Sequence, residues 1–184
     1  ENTVRMRTLE LEEINKLLQK QVNQSSQDAN TDSLTNLYNR RKFELELQKE
    51  IARAKRYNSP LSLALFDADH FKKINDTLGH AAGDKALQTI ANEISSNIRE
   101  NDIASRWGGE EFTVIFPGTT LKGAHATAEK IRASIESTTA GIDATVTCSV
   151  GLAEFDLTES LETLLKRLDQ ALYDAKDSGR NCIR

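Results

Sequence analysis

The sequence predicts an α/β domain, in the narrower sense α+β, with helices packed on a central antiparallel or mixed sheet and a separate helix at the N-terminus. Three observations carry this expectation. Apolar runs of strand length, at residues 61–66, 112–116 and 144–155, alternate with longer stretches whose apolar residues recur every three or four positions. Gly108 and Gly109 fall between two such runs and read as a hairpin turn. Residues 1–27 contain neither Gly nor Pro and are rich in Glu, Gln, Lys and Leu, unlike anything that follows.

In that first segment Val4, Leu11 and Leu18 are spaced by seven, with Arg7, Ile14 and Gln21 on the alternate positions. This heptad pattern predicts a coiled-coil dimerisation helix over residues 1–27 and a second domain over 28–184. The plainer alternative is a lone amphipathic helix. Residues 24–31 are polar and form a joint, after which Asp32 or Ser33 is placed to cap a turn and Asn39 to start a helix. That helix, 40–57, carries Phe43, Leu45, Leu47, Ile51 and Ala54, and Asn58-Ser59-Pro60 breaks it. A buried strand follows at 61–66 and ends in Asp67. Residues around Gly79 and Gly83 read as a loop, and a helix is expected over 84–98 on the spacing of Leu87, Ile90, Ala91, Ile94 and Ile98. After the hairpin, helices are expected at 119–137 and 161–175, with a strand at 144–155 between them. Gly179 closes the last helix. The order α-β-α-β-β-α-β-α after the first segment favours one sheet with helices packed on it.

With 28 acidic and 24 basic residues the net charge is −4, which argues against a DNA or RNA binder, since those carry a basic footprint. A small phosphate ligand needs only a few well-placed cations and stays compatible. The two cysteines, Cys148 and Cys182, form no metal or disulfide spacing, so a reducing, cytoplasmic compartment is expected. No apolar stretch approaches the ~20 residues of a membrane span, and no membrane contact is expected of this segment. Because the chain starts at Glu1, a fragment of a longer protein is expected, membrane-tethered or a response regulator.

The chemistry concentrates in a few places. Residues 106–112 read Arg-Trp-Gly-Gly-Glu-Glu-Phe, which puts Glu110 and Glu111 at a sharp turn, where paired carboxylates suit a hard divalent cation. Two solvated glutamates on an ordinary hairpin are the bland reading. Asp67 ends a strand, a common ligand position in sheet-based sites, with Ala68, Asp69, Lys72 and Lys73 just after it. Asn75 and Asp84 offer the amide and carboxylate that can read a guanine edge, although Asn75 could be a turn residue and Asp84 a helix cap. Lys176 and Arg180 bracket the end of the last helix, where they complement its dipole or pair with a phosphate.

These segments, taken together, resemble the GGDEF family of diguanylate cyclases, in its Gly-Gly-Glu-Glu-Phe variant. Asp32-Ser-Leu-Thr-Asn-Leu-Tyr-Asn-Arg resembles the family's opening motif. Residues 67–76 and 79–84 resemble its metal and guanine segment, and Lys176-Asp-Ser-Gly-Arg-Asn181 its closing motif. The match runs over about residues 30–184. The resemblance implies a βαββαβ palm like that of adenylyl cyclases. It also implies condensation of two GTP into cyclic di-GMP with release of two pyrophosphates, by a dimer holding one GTP per domain. Under it, Asp67, Glu110, Glu111 and the Ala68 carbonyl would hold Mg²⁺ (or Mn²⁺). Glu110 would accept the 3′-hydroxyl proton and Lys72 would stabilise transition-state charge. Asn75 and Asp84 would read guanine with His80 nearby, and Lys176 and Arg180 would grip the γ-phosphate. Arg99 and Asp102 match the family's Arg-x-x-Asp site, where cyclic di-GMP inhibits. The N-terminal heptads would raise the effective concentration of the second domain. The alternative is a module that only senses GTP or cyclic di-GMP.

Overall fold

The computed structural model describes residues 30–184, and the expected coiled coil over 1–27 lies outside the described residues. A short strand β1 (Tyr38–Asn39) leads into helix α1 (Arg40–Tyr57). The Asn39 side chain accepts a hydrogen bond from the Lys42 N–H, so it is the helix cap the sequence implied. Strand β2 (Leu61–Ala68) follows, then two helices, α2 (Phe71–Leu78) and α3 (His80–Asn97). The hairpin is β3 (Ile103–Gly108) and β4 (Glu111–Pro117), and α4 (Leu121–Ser137), β5 (Cys148–Glu154) and α5 (Leu161–Asp177) complete the chain.

The strands form one sheet in the order β1-β3-β4-β2-β5, parallel between β1 and β3 and antiparallel elsewhere. This is the mixed sheet expected, and β2, α2–α3, β3, β4, α4 and β5 trace the βαββαβ order. On one face α3 and α4 pack on Ala64, Phe66, Phe112, Val114, Cys148 and Val150. On the other, Phe43 and Leu47 of α1 and Leu164, Leu168 and Leu172 of α5 cover Leu63, Leu65, Ile115 and Ala153. Covering both faces explains why β2 is one continuous apolar run instead of an alternating one. At Gly151 the sheet and α5 approach so closely that a Cβ would lie 2.5 Å from the Leu168 carbonyl oxygen and the Leu172 nitrogen.

Several expected boundaries are corrected. Residues 71–78, to which the sequence assigns no element, form α2, and the region around Gly79 and Gly83, read as loop, is helical from His80 on, so Asp84 is inside α3 and does not cap it. Gly79, at φ 83°, separates the two helices, whereas Gly83 is buried within α3. Its missing Cβ is filled by the Asn75 side chain, whose Oδ1 lies 2.0 Å from where that carbon would be. The glycine that seemed to loosen a loop thus lets two helices meet. Residues 144–147 also stay outside β5, which begins at Cys148.

Candidate active site

Three strand ends meet at Asp67. Glu111 of β4 and Ser149 of β5 are its cross-strand partners, and the Ala68 N–H donates to the Glu110 carbonyl at 3.2 Å. Asp67, Ala68, Glu110 and Glu111 are therefore brought to one end of the sheet. Asp69 lies next to them but is buried and fully engaged, accepting from Thr147 Oγ1 at 2.9 Å, Ser149 Oγ at 2.6 Å and the Asn181 N–H at 3.0 Å.

The Gly-Gly turn is held from outside the hairpin. The register between β3 and β4 slips at Trp107, an extra residue that bulges the strand. Trp107 meets Phe43 edge-on at 5.2 Å, and the Arg40 guanidinium lies 4.3 Å from its ring centre. Gly109 takes a left-handed φ of 49°. Its carbonyl accepts from Arg106 Nε at 3.0 Å and Nη2 at 2.7 Å, while Arg106 Nη1 pairs with Asp32 at 3.1 Å. Asp32 also takes hydrogen bonds from the Thr35 N–H and hydroxyl. Burial pushes the Asp32 carboxyl up, but Thr35 and Arg106 outweigh it and leave the pKa below the ordinary range.

Burial raises the pKa of Asp67, and the Asp69 charge adds to this. Lys176 Nζ, 2.8 Å from Asp67 Oδ2, opposes the rise, as does Arg180. For Glu111, burial again comes first in raising the pKa, followed by repulsion from Asp67. The result is a cluster of hard oxygen donors carrying more negative charge than Lys176 neutralises. Among the described residues no three His, Cys, Asp or Glu side chains close into a metal cage. Carboxylate oxygens gathered at one sheet end are the donor type a hard divalent cation takes, with water and phosphate oxygens completing its shell.

Lys72 sits exposed in the first turn of α2, which follows β2 closely in the chain, and His80 is exposed at the start of α3. The Asn75 side chain packs against Gly83 where α2 meets α3, and Asp84, the next residue in α3, is exposed. Arg99 and Asp102 form a tight turn after α3. The Arg99 N–H donates to Asp102 Oδ2 at 2.9 Å and the Asp102 N–H to the Arg99 carbonyl at 3.0 Å. Burial raises the Asp102 pKa against the pull of Arg99. The turn borders a groove of about 410 Å³ with Tyr38, Ser95 and Ile98, and the Arg99 side chain stays exposed.

The residues that brace the site were less legible. Arg106 preceded the glycines in the motif without an assigned role, because its partner Asp32 is distant in sequence. Asn181 stood in the closing motif, but nothing in the sequence joined it to Arg132, which donates to its Oδ1 at 2.7 Å.

Residues 29–182 match the family described as "Diguanylate cyclase, GGDEF domain". The chain is 44% identical over 158 residues to diguanylate cyclase DgcP of Pseudomonas aeruginosa, covering 84% of this chain and 24% of DgcP. It is 41% identical over 172 residues to response regulator PleD of Caulobacter vibrioides, covering 90% of this chain and 38% of PleD. The chain therefore spans well under half the length of these curated relatives. Among solved structures, the coiled coil and GGDEF domain of DgcB from Caulobacter crescentus, in complex with c-di-GMP, superimposes with a TM-score of 0.90 at 34% identity. That superposition covers 97% of this chain and 96% of the DgcB chain. On the strength of the matched family and of these relatives, this chain belongs to the GGDEF-domain family of diguanylate cyclases.

Proposed function

We propose that this chain condenses two GTP molecules into cyclic di-GMP, acting as a dimer with one GTP per domain. The observation that carries the reading is the convergence of Asp67 with Glu110 and Glu111 beneath Lys176. In each half-reaction the 3′-oxygen of one GTP attacks the α-phosphorus of the other, and the bond to the β-phosphate oxygen breaks. Pyrophosphate leaves, and the 3′-proton is lost. Two such steps close the ring and release two pyrophosphates.

The donors for Mg²⁺ (or Mn²⁺) are the Asp67, Glu110 and Glu111 carboxylates and the Ala68 carbonyl. A bound ion supplies charge neutralisation on the phosphate oxygens. Glu110 is the residue assigned to receive the 3′-hydroxyl proton. Lys72, on α2, is assigned to charge that develops at the α-phosphate. Lys176 and Arg180 grip the terminal phosphate, and their influence on Asp67 supports their nearness to the acidic cluster. Asn75 and Asp84 read the guanine edge at the α2–α3 junction, with His80 beside them.

A single domain holds nucleophile and electrophile on different nucleotides only if a second domain faces it, so catalysis requires dimerisation, for which residues 1–27 are the proposed coiled coil. Cyclic di-GMP is the proposed inhibitor at Arg99 and Asp102. The exposed Arg99 side chain beside a half-open groove supports that role. A cytoplasmic location is proposed, and no helix among the described residues is long and apolar enough to cross a membrane.

Incubation with GTP and Mg²⁺, followed by chromatography, tests the reading. Cyclic di-GMP and pyrophosphate should appear in a one-to-two ratio. Binding of GTP or cyclic di-GMP without any product would establish the sensing module instead.

A further inference from the structure

Directly after α5, Gly179, Arg180 and Asn181 all take left-handed backbone, with φ of 108°, 65° and 46°. Glycine does this freely, but arginine and asparagine do so at a steric cost, and a run of this kind persists only where its surroundings over-determine it. Those surroundings can be named. The Asn181 N–H donates to the buried Asp69 carboxylate at 3.0 Å, and Asp69 is itself pinned by Thr147 and Ser149 of the β5 segment. The Asn181 side chain accepts from Arg132 Nη1 at 2.7 Å and donates from Nδ2 to Glu136 Oε1 at 2.8 Å. Arg132 is fixed in turn by Glu129 at 2.7 Å and Glu136 at 2.8 Å. One residue on, the Cys182 carbonyl accepts from the Val150 N–H at 2.9 Å.

Asn181 is thus clamped through backbone and side chain. The residue it follows, Arg180, is exposed. Its charge nevertheless reaches Asp67. A strained turn tied down on one side and presenting an exposed cation on the other has the form of a preorganised anion contact.

We propose that Asn181, anchored by Arg132 and Asp69, is a positioning residue. It holds Arg180 on the terminal phosphate and so sets the preference for a nucleoside triphosphate over a diphosphate. The inference rests on the reading of this cleft as the GTP site. Arg132, a largely covered residue of α4, becomes part of the selectivity apparatus without touching nucleotide.

Calorimetric titration with 3′-deoxy-GTP, which lacks the attacking hydroxyl, and with GDP tests this without turnover, both with Mg²⁺ present. Wild type should prefer the triphosphate. Asn181→Ala should weaken triphosphate binding about tenfold, the scale of one charge-assisted contact, while GDP affinity stays within about twofold. Arg180→Ala should give the same loss, and the double variant no more than either alone. Arg132→Ala should reproduce the effect in part, and Arg132→Lys should restore it by keeping a donor for Asn181 Oδ1. Equal weakening of both nucleotides in Asn181→Ala, or an unchanged preference, overturns the positioning role. A wild-type protein that binds both nucleotides alike overturns the reading of the cleft, and the positioning role with it.

Discussion

Replacing Glu111 with Gln should stabilise the nucleotide-free domain while removing its activity. Glu111 and Asp67 are opposite each other on β4 and β2, both with pKa values raised by burial, and only Asp67 has an ammonium against it. Directly opposed side chains on neighbouring strands lie about 5 Å apart. At an effective dielectric of about 20, two charges at that spacing repel by ~3 kcal/mol. Glu111 is only half-buried and Lys176 is close, so solvent and the neighbouring cation reduce this to about 0.5–1 kcal/mol. For a domain of this size that corresponds to a rise in Tm of about 1–4 °C.

The pH dependence gives a second check on Glu111. Its folded pKa lies above its ordinary value of 4.5, so below that value the group is protonated in both states and costs nothing. As pH rises through the interval up to the folded pKa, the folded protein keeps a proton that the unfolded chain has lost, and stability falls. The advantage of Glu111→Gln over wild type should therefore be full at neutral pH and vanish in acid. Thermal melts in a chelator across that range measure it. A variant that is less stable at neutral pH, or whose advantage grows on acidification, would show that the two carboxylates do not repel and would refute the reasoning. Activity lost alongside stability gained would mark the site as strained for function.

Gly151→Ala should destabilise the domain by about 1–3 kcal/mol in urea unfolding, because the new methyl meets backbone atoms of α5 that cannot swing aside. Gly83→Ala meets a movable side chain instead, so it should fold while displacing the Asn75 amide. The expected result is a KM for GTP raised about tenfold with kcat little changed, the loss of one base-reading contact. Asp32→Ala removes the partner of Arg106 and the Thr35 turn, and should cost about 1–2 kcal/mol. Since the Asp32 pKa is held below its ordinary value, its contribution is full above that value. The gap between wild type and Asp32→Ala should close as pH falls through the folded pKa, as followed by denaturant melts at several pH values.

The local chemistry of this protein was written in its sequence. Hydrophobic spacing gave α1, α4 and α5, the Asn39 cap and the β3–β4 hairpin, because periodicity and capping are properties of neighbouring residues. The motifs singled out Asp67, Glu110, Glu111, Lys176 and Arg180 as candidates from residue type and order alone. Helix α2 escaped because its eight residues lie between a left-handed His70 and Gly79, too short a span for a periodic signal to stand out. What needed the folded chain were relations between distant segments. The Lys176–Asp67 pair, the lock of Arg106 on Asp32 and the clamp of Arg132 on Asn181 each join residues that no spacing rule connects. Their contacts depend on how helices seat on the sheet, down to a glycine that admits α5 at Gly151, and packing of that kind is decided by the whole molecule at once.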